Sequence, residues 1–160
     1  MGWQDRSAAQ GADTGGARMQ NGALCWRATG TGIEVLLITS RDTGRWVIPK
    51  GWPIAGLAPE AAAAQEAWEE AGVEGVMNPA CLGRFGYHKV LSKTSHVPCA
   101  VEVYGLRVVH LAKKFPEVAM RQRVWFRPLD AAELVHEAEL ASLIAGFSPS
   151  LAGRLPPISG

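Results

Sequence analysis

The chain of 160 residues has only three cysteines, and they exclude two common kinds of site. Cys25, Cys81 and Cys99 are odd in number, far apart, and form no Cys-x-x-Cys pair. A disulfide framework needs paired cysteines, and a structural zinc site needs closely spaced ligands. The cysteines are therefore predicted to be reduced thiols, mostly buried, in a cytoplasmic protein.

Long apolar runs and an excess of charge are also lacking. No apolar stretch approaches the length of a membrane span, and the N-terminus lacks the apolar core of a secretion signal. The formal charge is +1, which argues against a broad electrostatic surface for a nucleic-acid polymer or an acidic membrane. This overall balance leaves local basic clusters open.

The length suits one domain with a real core. Residues 1–16 are rich in Gly, Ala, Ser, Gln and Asp without periodicity, which predicts a disordered leader. The domain is expected over residues 17–147. Residues 148–160 contain three prolines and are expected to form a tail.

Strand patterns dominate the front of this domain. Strands are predicted at 22–26, 33–38, 45–48, 76–87, 96–109 and 123–126, and helices at 59–71, 129–136 and 139–147. The first helix has Pro59 in its first turn and Gly72 just past its end, as helices prefer. Helices do not alternate regularly with strands, so the pattern favours an α+β fold with a mixed sheet covered by helices.

Three glutamates on this first helix indicate chemistry. Glu66, Glu69 and Glu70 fall on one side of the helix, where like charges at this spacing repel by about 0.2–0.5 kcal/mol per pair. A cation among them would remove the repulsion, and oxygen ligands suit Mg²⁺ or Mn²⁺. The competing interpretation is a solvated helix face, since glutamate is a good helix former.

The flanking residues decide between these interpretations. The segments 51–57 and 65–73, which read GWPIAGL and QEAWEEAGV, resemble the signature G-x5-E-x7-R-E-U-x-E-E-x-G-U of the Nudix pyrophosphohydrolases, in which U is aliphatic. The spacing fits without an insertion. The positions that match are Gly51, Glu66, Glu69, Glu70, Gly72 and Val73, with Ala67 as a small aliphatic residue. The resemblance implies a Nudix-type α/β/α sandwich with a mixed, curved sheet.

Two positions depart from the signature. Leu57 stands where the early Glu is expected and cannot bind metal, and Gln65 stands where the Arg is expected. In the family, that Arg is understood to hold a metal-binding Glu in position. Gln65 can donate a hydrogen bond but has neither charge nor a forked geometry. Glu60, in the first turn of the helix, is a candidate to replace the missing early Glu.

The resemblance also implies roles for the matching residues. Glu66, Glu69 and Glu70 are expected to be both metal ligands and catalytic residues, and the backbone carbonyl of Gly51 or Lys50 is expected near the ion. The resemblance implies Mg²⁺ as cofactor, with Mn²⁺ as the alternative. The general base varies within the family, so Glu69 and Glu70 are both candidates.

Cationic and loop residues near the signature complete the expected site. Lys50, Arg41 and Arg45 are predicted to bind substrate phosphates, with the surface-charge interpretation left open for each. Glu117 is an outside candidate for the general base, against the alternative of an exposed loop carboxylate. His88 is expected at the rim of the pocket.

The segments 36–41 and 46–53 resemble the Nudix branch that acts on diadenosine and diphosphoinositol polyphosphates. The expected function is therefore metal-dependent hydrolysis of a diphosphate bond in a nucleoside diphosphate linked to another moiety, or in a diphosphoinositol polyphosphate. Leu57 and Gln65 motivate the alternative, a catalytically weak Nudix-fold module that senses a nucleotide-like ligand. The partner is a small phosphoanhydride, with no nucleic-acid polymer or membrane, and a homodimer is the candidate assembly because family members are often dimers.

Overall fold

The computed structural model describes residues 16–149. Almost all of the expected leader and most of the expected tail lie outside these residues. The described chain contains strands β1 to β7 and helices α1 to α3. The strands are β1 Arg18–Thr29, β2 Gly32–Thr39, β3 Trp46–Val47, β4 Lys50–Gly51, β5 Val73–Ser92, β6 Ser95–Leu111 and β7 Arg123–Phe126, and the helices are α1 Pro59–Ala71, α2 Pro128–Leu134 and α3 Ala138–Ala145.

The strands form one mixed sheet, as the sequence predicts. The main order is β3-β2-β1-β6-β5, β4 pairs with β1, and β7 pairs with β2. The pairing of β1 with β6 is parallel, and the other pairings are antiparallel. The long hairpin of β5 and β6 has register shifts along its length, which bend strands of this size.

Helices cover both faces of the sheet. On one face α1 packs small side chains against β1 and β2, and Ala63, Ala67 and Ala71 are fully buried there. On the other face α2 and α3 bury Ala131, Leu140 and Ile144 against a second apolar cluster. This arrangement confirms the predicted layers of helix, sheet and helix.

The sheet continues past the predicted end of its third strand at residue 48. Lys50 and Gly51 lie outside the predicted strands, but they form β4 and pair with Asn21 and Gly22 of β1. Pro49 has no N–H to donate, but its carbonyl accepts a hydrogen bond from the Ala23 amide at 3.0 Å. The pairing with β1 is therefore kept next to the proline. The sheet therefore holds the start of the signature rigidly beside α1.

Helix α1 spans the predicted residues, and its end explains the Gly in the signature. Gly72 adopts φ +66°, and its amide donates to the Trp68 carbonyl at 2.9 Å. A Cβ at position 72 would lie 2.8 Å from Nη1 of Arg123 and would overlap with the ring of Phe115. Glycine is therefore needed both for the left-handed turn and for this close packing.

Helices α2 and α3 are shorter than the sequence predicts. They end at Leu134 and Ala145, because Val135 leaves the helical region with ψ 150° and Gly146 follows Ala145. Within the described part of the chain, none of the helices is both long and apolar enough to cross a membrane.

Candidate active site

A cavity of about 360 Å³ opens where β4, α1 and the segment before β7 meet. Its walls carry acidic and basic side chains together. The lining residues include Arg41, Asp42, Lys50, Gly51, Trp52, Glu66, Glu70, Tyr87, Lys89, Glu117 and Arg121. Two of the three signature glutamates thus share a cavity with several cations.

Helix α1 aims Glu66 and Glu70 into this cavity because they are one turn apart on the same face. Glu70 is buried, and its Oε1 accepts a hydrogen bond from the Lys50 amide at 3.3 Å. A Cβ at position 51 would lie 2.5 Å from Oε2 and 2.6 Å from Oε1 of Glu66. Only glycine lets β4 approach the Glu66 carboxylate this closely.

The two carboxylates are placed in an environment that disfavours negative charge. Burial, followed by the charges of Glu70 and Glu69, raises the pKa of Glu66 to about 8. Burial also raises the pKa of Glu70, although Arg121 and Lys50 act in the opposite direction. Paired carboxylates in such a position are the arrangement that a divalent cation would stabilise.

Glu69 lies outside the cavity wall. Its Oε2 accepts a hydrogen bond from the side-chain amide of Gln65 at 2.9 Å, one turn earlier on α1. Gln65 therefore contacts a signature glutamate through a neutral hydrogen bond. Glu60, the candidate replacement for the early Glu, does not line the cavity either, and Leu57 is exposed.

Glu117 and Arg121, from the segment before β7, also line the cavity. The Glu117 amide donates to the Glu69 carbonyl at 2.9 Å, which fastens this segment to the end of α1. Arg121 Nε donates to Glu117 Oε1 at 2.8 Å, and Arg121 Nη2 lies 3.5 Å from Glu70 Oε2. Glu117, interpreted from sequence as more often a plain loop residue, faces the signature glutamates.

Arg123 reinforces the same junction. Its guanidinium donates to the carbonyls of Ala71 at 2.6 Å and Ala112 at 2.7 Å, and it stacks 4.8 Å from the centre of the Phe115 ring. The bond to Ala71 satisfies a carbonyl at the C-terminus of α1, where a cation is favourable, and the bond to Ala112 ties the same guanidinium to the residue after β6. The segment that carries Glu117 is thus tied to the helix that carries Glu66 and Glu70.

Two of the three predicted phosphate-binding cations line this cavity. Lys50 and Arg41 line the cavity, and Arg41 Nε lies 3.9 Å from Glu117 Oε1. Burial lowers the pKa of Lys50, and its ammonium lies 4.7 Å from the centre of the Tyr87 ring. Arg45 is exposed and does not line this cavity, but it shares a smaller one of about 60 Å³ with Lys50.

Arg45 also lines a neighbouring cavity of about 500 Å³. Its walls include Tyr87 and three histidines, His88, His96 and His136. Tyr87 belongs to both cavities, so the two are adjacent across one side chain. A ligand longer than one diphosphate could reach from the glutamates into this second space.

Sequence reasoning missed Arg121 and Tyr87. Tyr87 was read as part of a strand, and its hydroxyl donates to Gln20 Oε1 at 2.6 Å from across the sheet. Arg121 stands in the run Met120-Arg121-Gln122-Arg123, which has no motif. An acidic residue four positions before an arginine, as Glu117 is before Arg121, was the one local signal available.

The donor set fits a hard divalent cation that is shared with a ligand. Within residues 16–149, no group of three His, Cys, Asp or Glu side chains is arranged to hold a metal ion. Mg²⁺ usually takes one or two carboxylates and completes its shell with water and substrate phosphates. Glu66 and Glu70 would supply those carboxylates.

Comparison with known families places this site in context. The family model of the NUDIX domain matches residues 18–147. The human diphosphoinositol polyphosphate phosphohydrolase 3-beta is 29% identical over 155 residues, covering 92% of this chain and 90% of the relative. Diphosphoinositol polyphosphate phosphohydrolase 2 of Rattus norvegicus is 30% identical, covering 86% of this chain and 77% of the relative.

Solved structures show the same fold. The Ap4A hydrolase of C. elegans superposes with a TM-score of 0.63 at 23% identity, covering 85% of this chain and 99% of that chain. The dihydroneopterin triphosphate pyrophosphohydrolase of E. coli gives a TM-score of 0.63 at 15% identity, covering 81% of this chain and 93% of that chain. Because both sequence identities are below 25%, these similarities show the fold alone.

Proposed function

The chain belongs to the Nudix family, and from this we propose that it is a divalent-metal-dependent hydrolase that cleaves a diphosphate bond in a small phosphoanhydride. One observation carries the proposal. Glu66 and Glu70 are placed together in a cavity that also contains Lys50 and Arg121, with Gly51 making the close approach possible. Acidic and basic groups facing each other across a small space suit a cation and a polyphosphate bound side by side.

The chain's own residues would divide the work of hydrolysis. Glu66 and Glu70 would hold Mg²⁺, or Mn²⁺, near the backbone of Gly51 and Lys50. The bound ion would neutralise phosphate oxygens and increase the acidity of water. Lys50 and Arg41 would orient the diphosphate, since cations at the cavity wall attract its oxygens.

A carboxylate is also needed to take the proton of the attacking water. Glu70, Glu69 and Glu117 are the candidates. Glu117 is well placed, because its Oε1 is held by Arg121 while Oε2 accepts no hydrogen bond from any other described residue. Glu69 is less well placed, because its side chain is bonded to Gln65 outside the cavity.

The substrate class we propose is a diadenosine or diphosphoinositol polyphosphate. The relatives named for diphosphoinositol polyphosphates support it, as does the neighbouring cavity with Arg45 and three histidines, which offers space for the part of the substrate that is not cleaved. Arg45 would then bind the distal end of the substrate instead of the scissile diphosphate.

A second candidate is a Nudix-fold module that binds such a ligand with little turnover. Leu57 and the engagement of Glu69 with Gln65 favour it, because both reduce the number of carboxylates available to metal. It predicts saturable binding without product.

A panel of compounds distinguishes the two functions. The protein is incubated with diadenosine polyphosphates, diphosphoinositol polyphosphates, ADP-ribose, nucleotide sugars and nucleoside triphosphates, with Mg²⁺ or Mn²⁺. Turnover that EDTA abolishes, and that falls by at least about 100-fold in Glu70→Gln, supports the hydrolase. Binding without product from any compound would contradict it.

A further inference from the structure

The signature lacks its arginine at position 65, yet a guanidinium reaches the signature glutamates from elsewhere in the chain. Arg121 Nη2 lies 3.5 Å from Glu70 Oε2, and both side chains are only about one-tenth exposed. Among the described residues, this is the one ion pair that any of Glu66, Glu69 and Glu70 makes. Gln65, at the position of the missing arginine, bonds only to Glu69.

Arg121 is also held firmly enough to orient its partners. Its Nε donates to Glu117 Oε1 at 2.8 Å, and its Nη1 donates to the Thr39 carbonyl at 3.1 Å. Thr39 ends β2, and its hydroxyl accepts from the Gln122 amide at 2.9 Å. The guanidinium is therefore anchored to the sheet on one side while it contacts two carboxylates on the other.

We propose that Arg121 is the positioning residue that replaces the signature arginine, fixing Glu70 and Glu117 relative to each other from the segment before β7. A planar guanidinium can contact two carboxylates at once in a fixed geometry, which neither Gln65 nor a lysine can do. The replacement rests on the proposed function, because the positioned groups are those of the proposed active site.

The alternative for the same geometry is that Arg121 competes with the metal. A cation this close to Glu70 could occupy part of the space that Mg²⁺ needs. The two roles predict opposite changes when the guanidinium is removed, so one set of variants separates them.

The test compares wild type, Arg121→Gln, Gln65→Arg and the double variant. In Arg121→Gln we expect kcat to fall at least about 10-fold with KM changed less than about 3-fold, because the carboxylates lose their orientation while the phosphate-binding cations remain. Gln65→Arg alone should change kcat less than about 2-fold, because the site already has a guanidinium. In the Arg121→Gln background, Gln65→Arg should raise kcat by at least about 3-fold. Such a non-additive result is typical of groups that act together.

A second readout does not depend on turnover. Mn²⁺ binding followed by electron paramagnetic resonance should persist in Arg121→Gln, but with a broader spectrum than in wild type, because Glu70 is no longer held in one orientation. Arg27→Gln is the matched control, since Arg27 pairs with Glu34 at 2.7 Å and does not line the cavity. It should leave both kcat and the spectrum unchanged.

Several outcomes would overturn the proposal. Faster turnover with tighter Mn²⁺ binding in Arg121→Gln would assign the competitor role, and an unchanged kcat or unchanged spectrum would remove the positioning role. Equal gains from Gln65→Arg in both backgrounds would mean that the two positions act independently. If wild type turns over no compound, the proposed hydrolase fails, while the Mn²⁺ spectrum still decides whether Arg121 orients Glu70.

Discussion

The absence of a side chain at Gly51 allows β4 and α1 to approach each other at the candidate site. Any Cβ there would overlap with the Glu66 carboxylate, so the backbone of β4 and the acidic face of α1 can meet only at a glycine. The glycine at the start of the signature thus has a structural reason that the spacing of the motif does not reveal.

Gly51→Ala should therefore displace Glu66 and weaken Mn²⁺ binding by at least about 10-fold, as the loss of groups that orient a metal ligand does. Isothermal titration calorimetry measures this directly. Gly30→Ala is the control, because nothing lies within 4 Å of a Cβ at that position. Equal Mn²⁺ affinity in the two variants would mean that Glu66 is not a ligand.

The raised pKa of Glu66 makes stability depend on pH and on metal. The side chain keeps its proton in the folded protein up to pH of about 8, whereas in the unfolded chain it releases the proton near 4.5. Below 4.5 the carboxyl is protonated in both states. As pH rises from 4.5 to 8, only the unfolded state gains by ionising, so the metal-free protein loses stability across this window.

Thermal melts in EDTA should therefore show Tm falling between pH 4.5 and 8. Added Mg²⁺ should raise Tm more at the upper end, because bound cation favours the ionised carboxylates. Glu66→Gln should flatten the dependence, whereas Glu133→Gln, on an exposed part of α2, should keep it. A Tm that rises with pH in EDTA and is unaffected by Glu66→Gln would refute the account.

At the level of elements, α1 is fixed at its C-terminus as well as by its alanine face. Gly72, Phe115 and Arg123 pack together in a junction that connects the end of α1 to the segment containing Glu117. The arrangement of the glutamates around the cavity depends on this junction, because Glu117 is linked to α1 by a backbone hydrogen bond to Glu69.

Gly72→Ala should destabilise the protein more than Gly44→Ala. Both glycines have positive φ, +66° and +72°, so each alanine costs about 1–2 kcal/mol of backbone strain. A Cβ at 44 meets nothing within 4 Å, whereas a Cβ at 72 meets Phe115 and Arg123, which should add about 1–3 kcal/mol. Urea denaturation measures the free energy of unfolding of both variants. Equal losses of stability would show that Phe115 and Arg123 move aside at no cost.

Local patterns predict the elements of this protein better than its long-range contacts. Helix α1 was predicted residue by residue, because Pro59, the alanine run and Gly72 are local signals. Strand β4 was missed, because two residues carry no periodicity and their pairing depends on β1, far away in sequence. Helices α2 and α3 were predicted to end too late, because Val135 carries no stop signal and the glycine stop signal at Gly146 was not used.

The same division holds for the candidate site. The signature identified Glu66, Glu70 and Gly51, which the structure brings together. It also marked Glu69, whose side chain turns to Gln65, and it could not identify Arg121, which approaches from a segment with no motif. Spacing along one helix is visible in sequence, but the direction of a side chain and the arrival of a distant guanidinium depend on tertiary packing.

The whole molecule combines a fold shared with its family and a charge arrangement around one cavity. Membership of the Nudix family explains the mixed sheet between helices and the position of the signature. The features that the signature does not predict are the exposed Leu57, the Gln65–Glu69 hydrogen bond and the contacts of Arg121 with Glu70 and Glu117. These features, more than the fold, should set its rate and its choice of substrate.

The central claim is that Glu66 and Glu70 bind a divalent cation together with a diphosphate. Calorimetric titration of Mn²⁺ tests it most directly, with and without a diadenosine polyphosphate whose bridging oxygen is replaced by methylene so that it cannot be cleaved. We expect wild type to bind Mn²⁺ more tightly in the presence of the analogue, and Glu66→Gln combined with Glu70→Gln to bind no ion under either condition. An absence of Mn²⁺ binding in wild type, or equal binding in the double variant, would contradict the account.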